Sequence, residues 1–311
     1  MIEEILYCYT NGNSLVTIKT NGTREIETQD DDFRFHYPLN IDLKVTNKCL
    51  VGNCAFCHEA SSPTGLEAPL ENFEFLKSWK TNGEVALGGG QLTSYDRLDE
   101  LLQLIKDCKL IANATFHDKE IINDFDRIKK YQEDGLLHGI GISLHNPSDK
   151  LAECINSLDN VVIHIINGIF TEEHLNWIKK NIKKPKLLIL AYKHFRKGND
   201  YYDVMSKTVD KNQKWLYNRL PKLIHEMNVV SFDNAAIQQL DVGRLLTDEE
   251  FEEFYQGDET VGSFYVDAVN GLFAPNSVHT SREPIMNDIH DMFIKAKELY
   301  KNSIQLDVNI D

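Results

Sequence analysis

The sequence has no apolar run close to the roughly 20 residues that a membrane-spanning helix needs. Its first twelve residues contain two acids and no basic residue, which is not typical of a secretory signal peptide. We therefore expect a cytoplasmic protein that has no membrane partner. Basic residues are also in deficit, because 33 Lys and Arg stand against 48 Asp and Glu, for a net charge of −15. An acidic surface repels phosphate backbones, so nucleic acid is disfavoured as a partner.

Cysteine is scarce and unevenly placed, with six in 311 residues and none after Cys154. Three of them, Cys49, Cys54 and Cys57, lie within nine residues of one another. A disulfide framework would not cluster in this way, so the spacing favours a metal site. We predict that the scattered Cys8, Cys108 and Cys154 are small buried apolar side chains.

Apolar residues make up 42% of the chain, which is enough for a packed core and excludes global disorder. Residues 1–37 indicate a small β-meander, because Asn11-Gly12 and Asn21-Gly22 are strong hairpin signals between strand-like stretches. We predict its strands around Ile5–Tyr9, Leu15–Lys19 and Glu25–Glu27.

From residue 38 to 195 strand-like and helix-like segments alternate, which predicts an α/β fold with parallel strands joined by right-handed crossovers. The six predicted strands are too few for a closed eight-stranded barrel, so we expect an open partial (β/α)6 barrel. The predicted strands are Ile41–Val45, Val85–Leu87, Leu110–Thr115, Gly139–Leu144, Val161–Ile166 and Leu187–Ala191. The predicted helices are Leu70–Trp79, Asp96–Cys108, Lys119–Glu133, Asp149–Ser157 and Glu172–Asn181. Residues 196–311 form a mixed C-terminal extension that we expect to close the barrel, with a hairpin at Asn270-Gly271 and a last helix over about 284–301.

The cysteine spacing, C-x4-C-x2-C, directly follows the first predicted strand of the repeat, and thiolates this close can converge on one soft metal centre. Four other interpretations stay open. A [2Fe–2S] electron-transfer protein uses the same spacing with a fourth cysteine, and here Cys108 is 51 residues further on. A zinc-stapled interaction module would add His58 as a fourth ligand. The string from Cys54 to His58 also matches the C-x-x-C-H pattern of haem attachment, and three ordinary buried thiols are the simplest case.

A run of three glycines ends the next predicted strand. Gly88, Gly89 and Gly90 are followed by Gln91 and then by a predicted helix. Adjacent glycines at a strand end let a ligand approach the backbone closely, and ligands bind at the carboxyl edge of parallel sheets. The glycine run would therefore meet the cysteine loop at one edge of the sheet.

With this pair of motifs, residues 38–195 resemble the radical SAM superfamily. The cysteine loop follows the first strand, Phe56 precedes the last cysteine, and a GGE-like motif ends the second strand. The C-terminal part is similar to small radical SAM proteins of phages and Bacillota. Those relatives often carry cysteines for auxiliary clusters, and this region has none.

The resemblance implies that Cys49, Cys54 and Cys57 ligate a [4Fe–4S] cluster whose open iron binds S-adenosylmethionine. It also implies reductive cleavage to a 5′-deoxyadenosyl radical, which abstracts hydrogen from a peptide, a nucleotide or another small-molecule substrate. An external flavodoxin- or ferredoxin-like partner would donate the electron. Residues implied near S-adenosylmethionine are Phe56, Gly88, Gly89, Gly90, Gln91, Ser143, His164, Asn167 and Leu190–Tyr192.

The sequence departs from the common family pattern in two places. The first gap between cysteines has one residue more than C-x3-C-x2-C, and Gln91 stands where the motif has glutamate. An amide still accepts a hydrogen bond from the ammonium group of S-adenosylmethionine, without the charge-assisted part.

Other polar residues lie near the predicted strand ends. The histidines His117, His138 and His145, together with Asp118, are candidates for proton transfer, although an isolated histidine is more often structural. For Lys193, Arg196 and Lys197, binding of an anionic group and a solvated loop are equally good interpretations. For Asp233 we favour a helix cap over a substrate contact.

Overall fold

A computed structural model describes residues 4–52, 54–255 and 257–308. Its N-terminal part is a three-stranded antiparallel sheet of β1 (Ile5–Asn11), β2 (Ser14–Lys19) and β3 (Arg24–Thr28). Gly12 and Gly22 lie in its two turns with φ of 63° and 86°. A Cβ on Gly12 would come 1.7 Å from the carbonyl oxygen of Arg34, so this turn requires glycine. The predicted meander is confirmed.

The large sheet has ten strands in the order β10-β9-β8-β7-β6-β5-β4-β11-β12-β13. Strands β4 to β11 run parallel, while β12 and β13 are antiparallel additions. Their bounds are β4 Asn40–Thr46, β5 Glu84–Gly89, β6 Ile111–His117, β7 Gly139–Ser143, β8 Val161–Ile166, β9 Lys186–Leu190, β10 Val229–Phe232, β11 Ser263–Asp267, β12 Leu272–Ala274 and β13 Glu283–Pro284.

The six strands predicted in residues 38–195 are present as β4 to β9, and the structure adds β10 and β11 from the C-terminal extension to the parallel sheet. Strand β10 has only four residues, and β11 pairs with β4 instead of following β10 in space. A β–α rhythm read along the chain cannot indicate such an out-of-order neighbour. The chain is a mixed α/β fold with a large, mostly parallel sheet; the partial barrel and the three-part division at residues 37 and 195 stay predictions.

Helices connect most of the parallel strands. Their bounds are α1 Leu98–Asp107, α2 Asp118–Asn123, α3 Phe125–Glu133, α4 Asp149–Ile155, α5 Glu172–Asn181, α6 Lys197–Glu226, α7 Asn234–Gln239, α8 Asp248–Phe254 and α9 Ile289–Val308. Short 3-10 helices cover Leu70–Ser78, Leu92–Ser94 and Val242–Leu245. The single predicted helix over 119–133 is two helices that meet at Asp124, and the last helix begins five residues later than expected because Glu283–Pro284 pair as β13. No helix in the described part of the chain has the length and apolarity needed to cross a bilayer.

The two faces of the large sheet differ in chemistry. On β4 the side chains of Ile41, Leu43 and Val45 are buried in the main core together with helix residues such as Leu101. The alternate position Asp42 is exposed on the opposite face, where Glu84 and Thr115 of the next strands are half-buried. Strands buried on both faces would be apolar throughout, so the alternation indicates a polar face that water can reach.

Contacts at both ends of the strands connect parts of the sheet that are not neighbours. At the amino ends, Lys186 of β9 donates to the Asn21 carbonyl, and nearby Arg24 pairs with Glu84 of β5. At the carboxyl ends, Lys197 beyond β9 donates to the Ser61 carbonyl beyond β4. Strand β9 is thus connected to β5 and β4, which lie four and five positions away in the sheet. The contact at the carboxyl ends brings the loops after β4 and β9 together.

Candidate metal and cofactor site

The cysteine loop begins where β4 ends, and all three of its thiols are free and half-buried. Asn53 lies outside the described residues. A Cβ on Gly52 would lie 3.2 Å from His117 Cδ2, 3.3 Å from Cys49 Sγ and 3.4 Å from Cys54 Sγ, so the glycine backbone packs closely against both sulfurs. Burial raises the pKa of the Cys49 thiol, and the neighbouring Cys54 and Cys57 thiols add to the effect. Cys49 and Cys54 thus approach the same glycine, and the use of all three thiols as ligands of one metal centre stays a prediction.

The glycine run lies directly against the chain that leads into this loop. Gly90 N–H donates to the Thr46 carbonyl at 2.6 Å, and Gln91 N–H donates to the Lys48 carbonyl at 2.7 Å. Gly89 has a φ of 112°, and a Cβ on Gly90 would lie 2.2 Å from the Lys48 carbonyl oxygen. A Cβ on Gly88 would instead meet nothing within 4 Å. Two glycines thus permit the close approach of the two segments, and the third borders open space.

Gln91 is 8% exposed, and both ends of its amide have partners within the chain. Its Oε1 accepts the backbone N–H of Leu50 at 3.0 Å, and its Nε2 donates to Thr93 Oγ1 at 3.1 Å. The amide oxygen that was expected to meet S-adenosylmethionine is therefore engaged with the cysteine loop. Contact of Gln91 with a cofactor stays a prediction.

A narrow cleft at the ends of β7 and β8 brings together three residues implied by the resemblance: Ser143, His164 and Leu190. Burial lowers the pKa of His164 to about 4, so this ring is neutral at physiological pH. Asn167 is not among the residues lining the cleft. Its side chain is 1% exposed and donates to Gln239 Oε1, while its Oδ1 is buried without a hydrogen-bond partner among the described residues.

Phe56 packs inside the loop region, with its ring centroid 5.5 Å from that of His145 and 5.7 Å from that of Tyr201. The scattered cysteines differ from one another. Cys154 is buried as predicted and Cys108 is half-buried, but the prediction for Cys8 is wrong because it is exposed on β1, a strand of the separate small sheet.

A group that sequence reasoning did not assemble is formed by Cys54, His117 and His145. One ligand-capable atom from each lies within 4.8 Å of the other two. Burial alone would raise the pKa of the Cys54 thiol, but hydrogen bonds with His117 and His145 outweigh it and lower the pKa to about 6. His117 ends β6, and His145 follows β7 by two residues, so their convergence follows from the pairing of these strands. The only signal in the sequence was that both histidines lie near the ends of successive predicted strands. The spacing of the histidines alone does not show that they meet.

A buried ionic network lies beneath the cysteine loop. Lys44 Nζ is 2.9 Å from Glu59 Oε2 and 3.3 Å from Asp267 Oδ2, and Lys44 is 2% exposed. Tyr265 donates to Glu59 Oε1 at 3.1 Å. Against the cost of burial, His58 and Lys44 hold the pKa of the Glu59 carboxyl well below its usual range. The network joins the loop to β4 and β11.

The basic residues after β9, which were considered as binders of an anionic group, form contacts within the chain. Arg196 donates to the Glu59 carbonyl at 3.1 Å, and Lys193 Nζ lies 3.1 Å from Ser277 Oγ. Asp233 accepts hydrogen bonds from the N–H groups of Ala236 and Ala191, so the predicted cap of α7 is confirmed. His58 Nε2 lies 3.4 Å from Glu59 Oε1, which directs this ring nitrogen to the ionic network.

The residues present fit an iron–sulfur cluster and a methionine-bearing ligand. Three free, half-buried thiols supply the soft donor set that such a cluster requires. Gly88 leaves open space at the neighbouring strand end, and the mostly apolar cleft that contains Ser143 and His164 lies at the ends of β7 and β8.

No protein-family model and no curated protein matches the sequence. Solved structures of Streptococcus suis SuiB are similar in fold. The crystal structure of SuiB bound to the precursor peptide SuiA aligns with a TM-score of 0.55 at 17% identity, over 83% of this chain and 65% of that one. The crystal structure of SuiB bound to S-adenosylmethionine aligns with a TM-score of 0.53 at 18% identity, over 83% and 64%. The chain spans just under two thirds of the length of SuiB, and at this identity the likeness concerns the fold.

Proposed function

We propose that this chain is a radical S-adenosylmethionine enzyme. The observation that carries the proposal is the hydrogen-bonded junction of two sequence motifs. The cysteine loop and the glycine strand end are joined through Thr46, Lys48 and Leu50, although the motifs lie more than 30 residues apart. The two motifs meet at the carboxyl edge of a parallel sheet, which is where such folds bind ligands.

In this proposal Cys49, Cys54 and Cys57 hold a [4Fe–4S] cluster, and the open space at Gly88 accepts the methionine part of S-adenosylmethionine. When bound, the cluster supplies one electron, received from an external donor, that splits S-adenosylmethionine into methionine and a hydrogen-abstracting 5′-deoxyadenosyl radical. Ser143, His164 and Leu190 line the cleft proposed for the nucleoside part. Gln91 holds the cysteine loop against the glycine strand end, and the neutral His164 adds no charge there.

A peptide is the substrate class that we favour. The fold is similar to that of a protein whose crystal structure contains a precursor peptide. The polar face of the sheet, where Asp42 is exposed, offers hydrogen-bonding groups to such a ligand. Residues 196–311 contribute β10 to β13 to the same sheet, so the extension belongs beside this face.

The test is anaerobic reconstitution of the full chain with iron and sulfide, followed by reduction in the presence of S-adenosylmethionine. We expect about four irons per chain and release of 5′-deoxyadenosine, measured by mass spectrometry. Cys54→Ala should lose both signals, whereas the matched control Cys8→Ala, on the exposed strand β1, should keep both. Two irons per chain, or a full cluster that releases no 5′-deoxyadenosine, would contradict the proposal.

A further inference from the structure

We propose that Cys54, His117 and His145 form a second, mononuclear site for a divalent transition-metal ion of the zinc type, which is filled when the chain carries no cluster. The site does not depend on the proposed enzymatic function, because it uses neither Cys49 nor Cys57. It shares Cys54 with the proposed cluster, so the ion and the cluster would exclude each other.

The three donors come from three separate segments. Cys54 lies in the loop after β4, His117 ends β6 and His145 follows β7. Their donor atoms all lie within 4.8 Å of one another, and Cys54 Sγ is 4.0 Å from His145 Nε2. Tetrahedral zinc with ordinary bond lengths holds sulfur and nitrogen ligands about 3.6 Å apart. The separation of Cys54 Sγ and His145 Nε2 is therefore only a few tenths of an ångström wider than in a tetrahedral site.

The donor chemistry selects the class of ion. One thiolate and two imidazoles suit borderline-soft ions such as Zn²⁺ and Co²⁺, whereas Mg²⁺ and Ca²⁺ prefer oxygen ligands. Three protein ligands leave the fourth tetrahedral position for water or another ligand, as in open zinc sites.

Asp118 lies behind the ring of His117 and the backbone of His145. Its carboxylate is fully buried, with Oδ1 2.8 Å from His117 Nδ1 and Oδ2 accepting the backbone N–H of His145 at 2.8 Å. The Lys119 N–H donates to His117 Nδ1 at 3.1 Å, so binding of a metal through Nε2 requires His117 to exchange this bond for a proton on Nδ1. Among the described residues Asp118 Oδ1 is buried without a hydrogen-bond partner, so for the metal-bound form we favour a proton on Nδ1, which would supply a donor to this oxygen. That tautomer leaves Nε2 as the nitrogen available to a metal, and a carboxylate behind a ligating histidine is the usual support in metal sites.

The experiment uses the full chain purified aerobically, stripped of metal by chelation and kept reduced. Titration with Co²⁺ is followed by the sulfur-to-cobalt charge-transfer band and the visible bands of tetrahedral cobalt, and Zn²⁺ is then used to displace the cobalt. We expect one ion per chain in the wild type. His117→Ala and His145→Ala should each weaken binding at least about tenfold, and Asp118→Asn, which keeps the size of the side chain, should weaken it by about 10- to 100-fold.

The double variant Cys49→Ala/Cys57→Ala is the matched control and should keep cobalt affinity within about threefold. Loss of binding in this variant, with unchanged binding in both histidine variants, would place the ion on the three cysteines and overturn the inference. Wild-type protein that binds no cobalt would overturn it as well. Thermal unfolding of each variant separates lost ligands from lost folding, and Asp118→Asn gives a second readout where His117→Ala is unstable.

The two proposals fail in different ways. A chain that loads about four irons but binds no cobalt without its cluster would refute only the mononuclear site. A chain that binds one cobalt through the histidines but never assembles a cluster would refute only the radical chemistry. Iron content after anaerobic reconstitution should survive in His145→Ala, because that proposal assigns no cluster ligand to His145.

Discussion

The side-chain oxygen of Gln91 accepts the backbone N–H of Leu50 at 3.0 Å, which joins the end of β5 to the residue after Cys49. Glutamate in the same place would provide the same acceptor. The amide additionally donates to Thr93 Oγ1, which a carboxylate cannot do. Glutamine at this position therefore has a structural role that links the two motifs.

Replacing Gln91 separates this structural role from a cofactor contact. Gln91→Leu removes the acceptor of the Leu50 N–H, which costs about 0.5–1.5 kcal/mol because Leu50 is exposed and water can replace the amide oxygen, and we expect a lower iron content after reconstitution. Gln91→Glu keeps the acceptor and should load iron as the wild type does. Equal iron loading in Gln91→Leu and the wild type would show that the bond to Leu50 does not organise the loop.

The buried network of Lys44, Glu59 and Asp267 predicts an asymmetric response to mutation. Lys44→Met leaves two buried carboxylates without their shared cation, and we expect a loss of about 3–5 kcal/mol in the free energy of unfolding. Tyr265→Phe removes only one hydrogen bond to Glu59 and should cost about 1 kcal/mol. Urea denaturation measures both, and a Lys44→Met loss no larger than that of Tyr265→Phe would contradict the prediction.

Lys297 on α9 predicts a pH dependence of stability. Burial lowers its pKa to about 8, and its Nζ lies 3.8 Å from the centre of the buried Phe293 ring. In the unfolded chain the pKa of this lysine is about 10.4, so between pH 8 and 10.4 the unfolded state binds more protons than the folded state. The contribution of Lys297 to the free energy of unfolding therefore rises with pH in this range.

The rise of the free energy of unfolding with pH is tested by urea denaturation at several pH values between about 7 and 10.5. Lys297→Met removes the cost of burying a charge and should be more stable than the wild type at pH 7, with a difference that shrinks as the pH increases. Lys297→Arg is the control, because arginine keeps its proton throughout this range and should abolish the rise. A constant difference between Lys297→Met and the wild type would show that the lysine does not titrate there.

Local signals predicted much of this fold. Asn11-Gly12 and Asn21-Gly22 marked both turns of the small sheet, and alternating apolar segments marked the six strands β4 to β9. The missing strands, β10 and β11, are short or paired out of chain order. Such pairing is decided by long-range packing, which periodicity along the chain does not encode.

The site was predictable where its residues are close in sequence. Clustered cysteines and adjacent glycines indicated a shared sheet edge, and their hydrogen-bonded junction agrees with that expectation. The grouping of Cys54 with His117 and His145 depends on loops from three strands. The engagement of Gln91 by Leu50 depends on the shape of a loop whose first gap is one residue longer than usual.

The glycines Gly88 and Gly90 predict opposite outcomes for similar substitutions. A Cβ on Gly88 meets nothing within 4 Å, so Gly88→Ala should change the free energy of unfolding by no more than about 0.5 kcal/mol. A Cβ on Gly90 would lie 2.2 Å from the Lys48 carbonyl oxygen, so Gly90→Ala should cost about 1–3 kcal/mol through backbone displacement.

A larger side chain at the open position then tests the cofactor assignment. Gly88→Leu should fold with a melting temperature near that of the wild type and bind S-adenosylmethionine more weakly, because the side chain occupies the space proposed for the methionine part. Equilibrium dialysis of the reconstituted protein under anaerobic conditions measures the affinity, and Gly88→Ala serves as the small-residue control. Wild-type affinity in Gly88→Leu would mean that the ligand does not lie against this strand end, even if the cysteines hold a cluster.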